Sequence, residues 1–176
     1  MLGLKCFSQT KFEREHRIKK SQFPSINMDS LPLENTKYIR YYREVDTSKI
    51  TYTLKFKKGK MQYHIDYNEK GALQNTGFMV KEVDIPTDTY ARIRSELNTN
   101  FQKTKIKYIQ QCYLGSSENV LKNTFQNLIL PSNTYKVMVR GNKTEKREDY
   151  IAIFDAEGNL EYMARALPPN YDHVLY

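Results

Sequence analysis

From Lys49 to Lys57 apolar and polar side chains alternate without a break. Ile50, Tyr52, Leu54 and Phe56 fall on one side; Lys49, Thr51, Thr53, Lys55 and Lys57 fall on the other. Lys60 to Tyr67 repeats the pattern, with Met61, Tyr63, Ile65 and Tyr67 set against Lys60, Gln62, His64 and Asp66. Successive strand residues point to opposite faces, so strict alternation marks a strand with one buried and one wet face, hence an antiparallel sheet. Lys58-Gly59 makes the tight connection, with Gly59 supplying a positive φ. Less regular runs at Tyr38 to Val45 and Leu73 to Val83 flank this hairpin, and Gly77 predicts a bulge in the second.

Elsewhere the period lengthens. Tyr90, Ile93, Leu97 and Phe101 sit at helical spacing behind a cap at Thr87 or Asp88. Lys11 to Lys20 consists mostly of good helix formers, and Phe23-Pro24 restarts a short helix, so residues 11–31 are predicted helical. Lys103 to Leu114 reads as a basic strand with Ile106, Tyr108, Gln110 and Cys112 on one face. Ser116 or Ser117 opens a further helix carrying Leu121, Phe125 and Leu128, stopped by Pro131. Three strands follow, at Tyr135 to Arg140, Asp149 to Asp155 and Leu160 to Ala166.

The two halves of the chain echo one another. Tyr63-His64-Ile65-Asp66-Tyr67-Asn68-Glu69-Lys70-Gly71-Ala72-Leu73 lines up with Tyr150-Ile151-Ala152-Ile153-Phe154-Asp155-Ala156-Glu157-Gly158-Asn159-Leu160. Each is a strand, a turn ending in glycine, and a strand, downstream of a helix started by proline, Pro24 or Pro86. The predicted fold class is α+β, with two consecutive helix-plus-four-stranded antiparallel units. The first spans 10–83 and the second 84–167, with an extra helix inserted at 117–129; residues 1–9 are read as the remnant of an export signal or a disordered N-terminus, and 168–176 form a tail.

On these turns and core positions the chain resembles PepSY-like domains. The tandem arrangement resembles the β-lactamase-inhibitor-like group of bacterial cell envelopes, over nearly the whole chain from about Lys11. The resemblance implies a periplasmic or surface protein that binds another protein, an inhibitor of a hydrolase or peptidase being one form. It brings no catalytic residues with it, and the inserted helix at Ser117 to Ile129 departs from the plain pattern. Phe7-Ser8-Gln9 before Lys11-Phe12-Glu13 looks like the leader junction of exported members.

Composition adds three points. Tyrosine is abundant, with 14 Tyr against 8 Phe and no Trp, which suits strands. The formal charge of +8 draws attention to acidic partners and nucleic acid. No later segment reaches the ~18 apolar residues of a membrane helix. Cys6-Phe7-Ser8-Gln9 places small residues where a signal peptidase cuts, and the expectation is an exported, periplasmic protein; it is cytoplasmic if Met1 is the true start without an upstream signal.

For chemistry the sequence offers little. It contains no G-x-S-x-G, H-E-x-x-H, C-x-x-C or phosphate-loop pattern, and three histidines. His64 with Asp66 forms at most a partial metal set, Asp155 to Gly158 reads as a hairpin turn rather than a calcium loop, and Cys112 as a small buried residue. Glu13, Glu15 and His16 read as helix-supporting charges, and Asp172-His173 as tail. No catalytic residue, cofactor or metal is expected. The candidate binding residues are Tyr38, Arg40, Tyr42, Lys55, Lys57, Lys60 and His64, a tyrosine- and lysine-rich sheet face. Tyrosine and arginine anchor interfaces, whereas lysines also serve simply to solvate a sheet. The expected function is non-enzymatic binding, inhibitor-like, of a protein or a cell-envelope polymer. A nucleic-acid-binding domain and an enzyme of unrecognised type are the alternatives, the former disfavoured by export.

Overall fold

A computed structural model describes residues 14–28, 31–45, 49–143 and 145–166. Its strands are β1 (Arg14–Ile18), β2 (Thr36–Val45), β3 (Ile50–Lys58), β4 (Met61–Tyr67), β5 (Leu73–Val80), β6 (Thr104–Leu114), β7 (Thr134–Asn142), β8 (Arg147–Phe154) and β9 (Leu160–Arg165). They hydrogen-bond side by side in chain order as one nine-stranded antiparallel sheet. Helix α1 (Thr87–Asn100) joins β5 to β6, and α2 (Val120–Phe125) joins β6 to β7.

The alternation fixes which face each residue takes. Leu54, Phe56, Ile65, Phe78, Ile109, Tyr135, Val137 and Phe154 share one face and belong to a single core. Ile93 and Leu97 of α1 and Val120 of α2 complete that core, so the buried side chains of both helices meet the same side of the sheet. Phe125 stacks 6.0 Å from Phe56 and lies 5.2 Å from Tyr63, while Phe101 sits 4.8 Å from Tyr150. Paired apolar area of this kind supplies most of the stability of an amphipathic helix, whose own propensity is a minor contribution.

Several expectations require correction. The two helix-plus-four-strand units do not exist as such: β5 and β6 pair from Asn75↔Leu114 to Val80↔Ile109, which fuses the halves into one sheet. The chain leaves β5, crosses the core face as α1 and returns antiparallel beside the strand it left. Among the described residues no α-helix precedes β5. Arg14–Ile18 is an edge strand, in register from Arg14↔Val45 to Ile18↔Tyr41. Its charged residues have good helix propensity but carry no apolar stripe for a helix to bury, and backbone pairing with β2 prevails. A 3-10 turn at Lys20–Gln22 follows, then Phe23, whose ring packs edge-on at 5.1–5.9 Å against Tyr41, Tyr52 and Tyr67. That extended segment covers the core where the helix was expected.

Finer points differ too. α2 is shorter than 117–129, because Asn119 and Asn127 adopt left-handed φ values of 54° and 53° on either side of it. A register shift between Ile106 and Tyr108 sends Ile106 to the core and Tyr108 to the opposite face. Gly77 is regularly paired, and the irregularity of β4–β5 lies instead at Asp66/Tyr67. The repeated turns match closely: Gly71 N–H donates to Asn68 O at 3.0 Å, and Gly158 N–H to Asp155 O at 3.1 Å. Both glycines have positive φ, 75° and 90°. The residues read as a leader junction, together with Glu13, Asp172 and His173, lie outside the described residues.

Candidate functional site

The second face of the sheet receives none of the buried helix side chains that build the core. Register carries a row of residues across it: Arg40 opposite Lys55, Lys55 opposite His64, His64 opposite Gly77, and Gly77 opposite Cys112. A neighbouring row places Lys57 opposite Gln62 and Met79 opposite Gln110. Between and above these rows runs a groove of about 650 Å³.

Of the residues singled out in the sequence, Tyr38, Arg40, Tyr42, Lys55, Lys57 and His64 all line this groove. Lys60 does not; it is exposed at the β3–β4 turn. Gln62, Met79, Tyr108 and Gln110 also line it and were not picked out as site residues. The signal for them existed in part, since Tyr108 and Gln110 share one face of their strand. Their nearness to β4 depends on the β5–β6 pairing, which alternation alone cannot supply.

Several specific contacts lie at or beside the groove. Lys55 Nζ stands 4.5 Å over the Tyr42 ring and reaches Glu15 Oε1 at 2.5 Å, so the unexpected strand β1 fixes one groove cation. Tyr38 is 67% exposed and has φ 57°, at the irregularity between Lys37 and Arg40 in the β2–β3 pairing. A bulge of this kind re-aims a side chain, here towards the mouth of the groove. Thr53 Oγ1 donates to Asp66 Oδ1 at 2.8 Å on the adjoining row.

His64 forms the floor and is buried, where the alternation had read a wet face. Gly77 beside it makes this possible: a Cβ there would lie 2.7 Å from His64 Cε1 and 3.1 Å from Cys112 Cα. Nδ1 of His64 is 3.5 Å from Gln110 Nε2, and Nε2 is 4.0 Å from Cys112 Sγ. Burial holds His64 below the usual histidine range; Asp66 pulls the other way, while Lys136 and Lys55 add to the depression. Burial likewise pushes the Cys112 thiol up to about 12. A thiol and an imidazole so shifted face each other as neutral groups, and a thiolate nucleophile is disfavoured at physiological pH. Among the described residues no group of three or more His, Cys, Asp or Glu is placed to hold a metal ion. No helix among them is long and apolar enough to cross a membrane.

No family model and no curated protein matches the sequence. Solved structures do match in fold. A DUF2874 family protein from Bacteroides ovatus superposes with a TM-score of 0.52 at 10% identity, covering 81% of this chain and 84% of that one. A BLIP-like protein from Bacteroides fragilis superposes with a TM-score of 0.49 at 11% identity, covering 79% of this chain and 82% of that one. The likeness to the first of these is a likeness of fold, and at such identity no residue role passes from it to this chain.

Proposed function

We propose that this protein is a non-enzymatic binding module whose partner, a protein, occupies the groove on the sheet face opposite α1 and α2. One observation supports the reading above the others: tyrosines 38, 42 and 108, with Arg40 and Met79, converge on a single groove. Tyrosine, methionine and arginine are enriched at protein interfaces, where they give large contact area at small entropic cost. The neutral thiol–imidazole pair at the floor fits a binding role better than a nucleophilic one. Binding takes place outside the cytoplasm on this reading, for which the motive is Cys6-Phe7-Ser8-Gln9.

The test is retention of a partner from the envelope fraction of the native host on immobilised full-length protein. Tyr38→Ala with Tyr108→Ala is expected to reduce retention at least tenfold, and Lys60→Ala to leave it unchanged. Equal retention by both variants contradicts the proposal.

A further inference from the structure

The charge of the groove is one-sided. Its lining includes Arg40, Lys55 and Lys57 and no carboxylate. Lys55 is already engaged, by Glu15 at 2.5 Å and by the Tyr42 ring. Arg40 and Lys57 take part in no salt bridge among the described residues. The contrast with β8 is direct: there Asp149 receives both Arg140, at 2.7 Å, and Lys107, at 2.5 Å. Asp149 thus receives two cations, whereas Arg40 and Lys57 at the groove meet no carboxylate among the described residues.

We infer that the groove's partner is an acidic protein segment, its carboxylates received by Arg40 and Lys57 and its apolar side chains by Tyr38, Tyr108 and Met79. This rests on the binding-module reading and names its ligand class. The guanidinium fork matches a carboxylate in a bidentate manner, and an ammonium beside it serves as a second point charge. A volume of about 650 Å³ exceeds what one carboxylate fills and accommodates several side chains. A nucleic acid is the poorer occupant. Duplex binders typically engage ~6–10 phosphates, whereas this lining holds three cations, one of them already paired.

The probe is a short peptide, Glu-Glu-Phe-Glu-Glu-Phe, titrated into the 15N-labelled full-length protein, alongside its glutamine isostere. Amide shifts are expected to cluster around His64, Gly77 and Gln110, with the isostere binding at least tenfold more weakly. Arg40→Gln with Lys57→Gln should weaken the acidic peptide at least tenfold. Lys60→Gln with Lys70→Gln, which removes the same charge from exposed turns, should change it less than twofold. Equal weakening by both double variants overturns the inference in favour of diffuse charge attraction. Tighter competition at the groove by oligothymidylate or an oligogalacturonate overturns it in favour of another ligand class. If the tyrosine variants lose the envelope partner while Arg40→Gln with Lys57→Gln retains it, the binding reading stands and the acidic assignment fails. If neither loses it, both fail.

Discussion

Glycines 59, 71 and 158 all have positive φ, of 58°, 75° and 90°, yet they differ in what surrounds them. A Cβ at Gly59 meets nothing within 4 Å. At Gly71 it would lie 2.6 Å from the carbonyl oxygen of Ser25, and at Gly158 2.5 Å from that of Thr89. Both obstacles are backbone atoms, so no side-chain rotation relieves them. Gly59→Ala therefore costs only the left-handed conformation, about 1 kcal/mol. Gly71→Ala and Gly158→Ala add overpacking of about 1–3 kcal/mol, for a total of roughly 3 kcal/mol each. For a chain of this size that corresponds to a melting shift of about 3 °C at Gly59 and about 6–12 °C at the other two. Asparagine, which tolerates the left-handed region, should rescue position 59 but not 71 or 158, since its Cβ meets the same carbonyls. The assay is reversible thermal unfolding of the three alanine and three asparagine variants. A Gly59→Ala loss as large as that of Gly158→Ala would refute the separation of conformational from steric cost.

Two further predictions concern the groove floor. Gly77→Ala should lower stability by about 1–3 kcal/mol, because a Cβ would crowd both the His64 ring and the backbone of β6, as chemical denaturation would show; a neutral substitution contradicts the packing of His64 over Gly77. Burial depresses the folded-state pKa of His64, so its contribution is whole above the unfolded value and declines as pH falls through ~6.5 towards the folded value, where the unfolded chain takes up a proton that the folded chain refuses. His64→Gln should accordingly lose less stability than wild type between pH 8 and pH 5.5, and an equal loss in both removes His64 from the acid sensitivity.

Strands β3 and β4 and helix α1 were legible because each alternates, or repeats at helical spacing, over several residues, and β2 and β5 followed as the less regular runs that flank the hairpin. Arg14–Ile18 was not. Its residues favour a helix locally, and only the free edge of β2 makes them a strand, a tertiary fact with no local trace. The division into two units failed for a related reason. The repeated turns at Asn68 and Asp155 are real, but a turn records its own hairpin and says nothing of whether β5 continues into β6. At the candidate site, the outward direction of Lys55 and Lys57 follows from a period of two. The burial of His64 does not, because it depends on Gly77 lying across from it on the next strand. Met79 and Tyr108 come to the same groove through pairing between halves of the chain that were read apart.

The most direct measurement of whether the sheet face opposite α1 and α2 is the working surface is oxidative footprinting of the protein alone and with its envelope partner bound. Protection concentrated at Tyr38, Met79 and Tyr108, with α1 residues such as Tyr90 unchanged, is the predicted result. Protection over α1 and α2 with the groove residues still reactive would contradict the account.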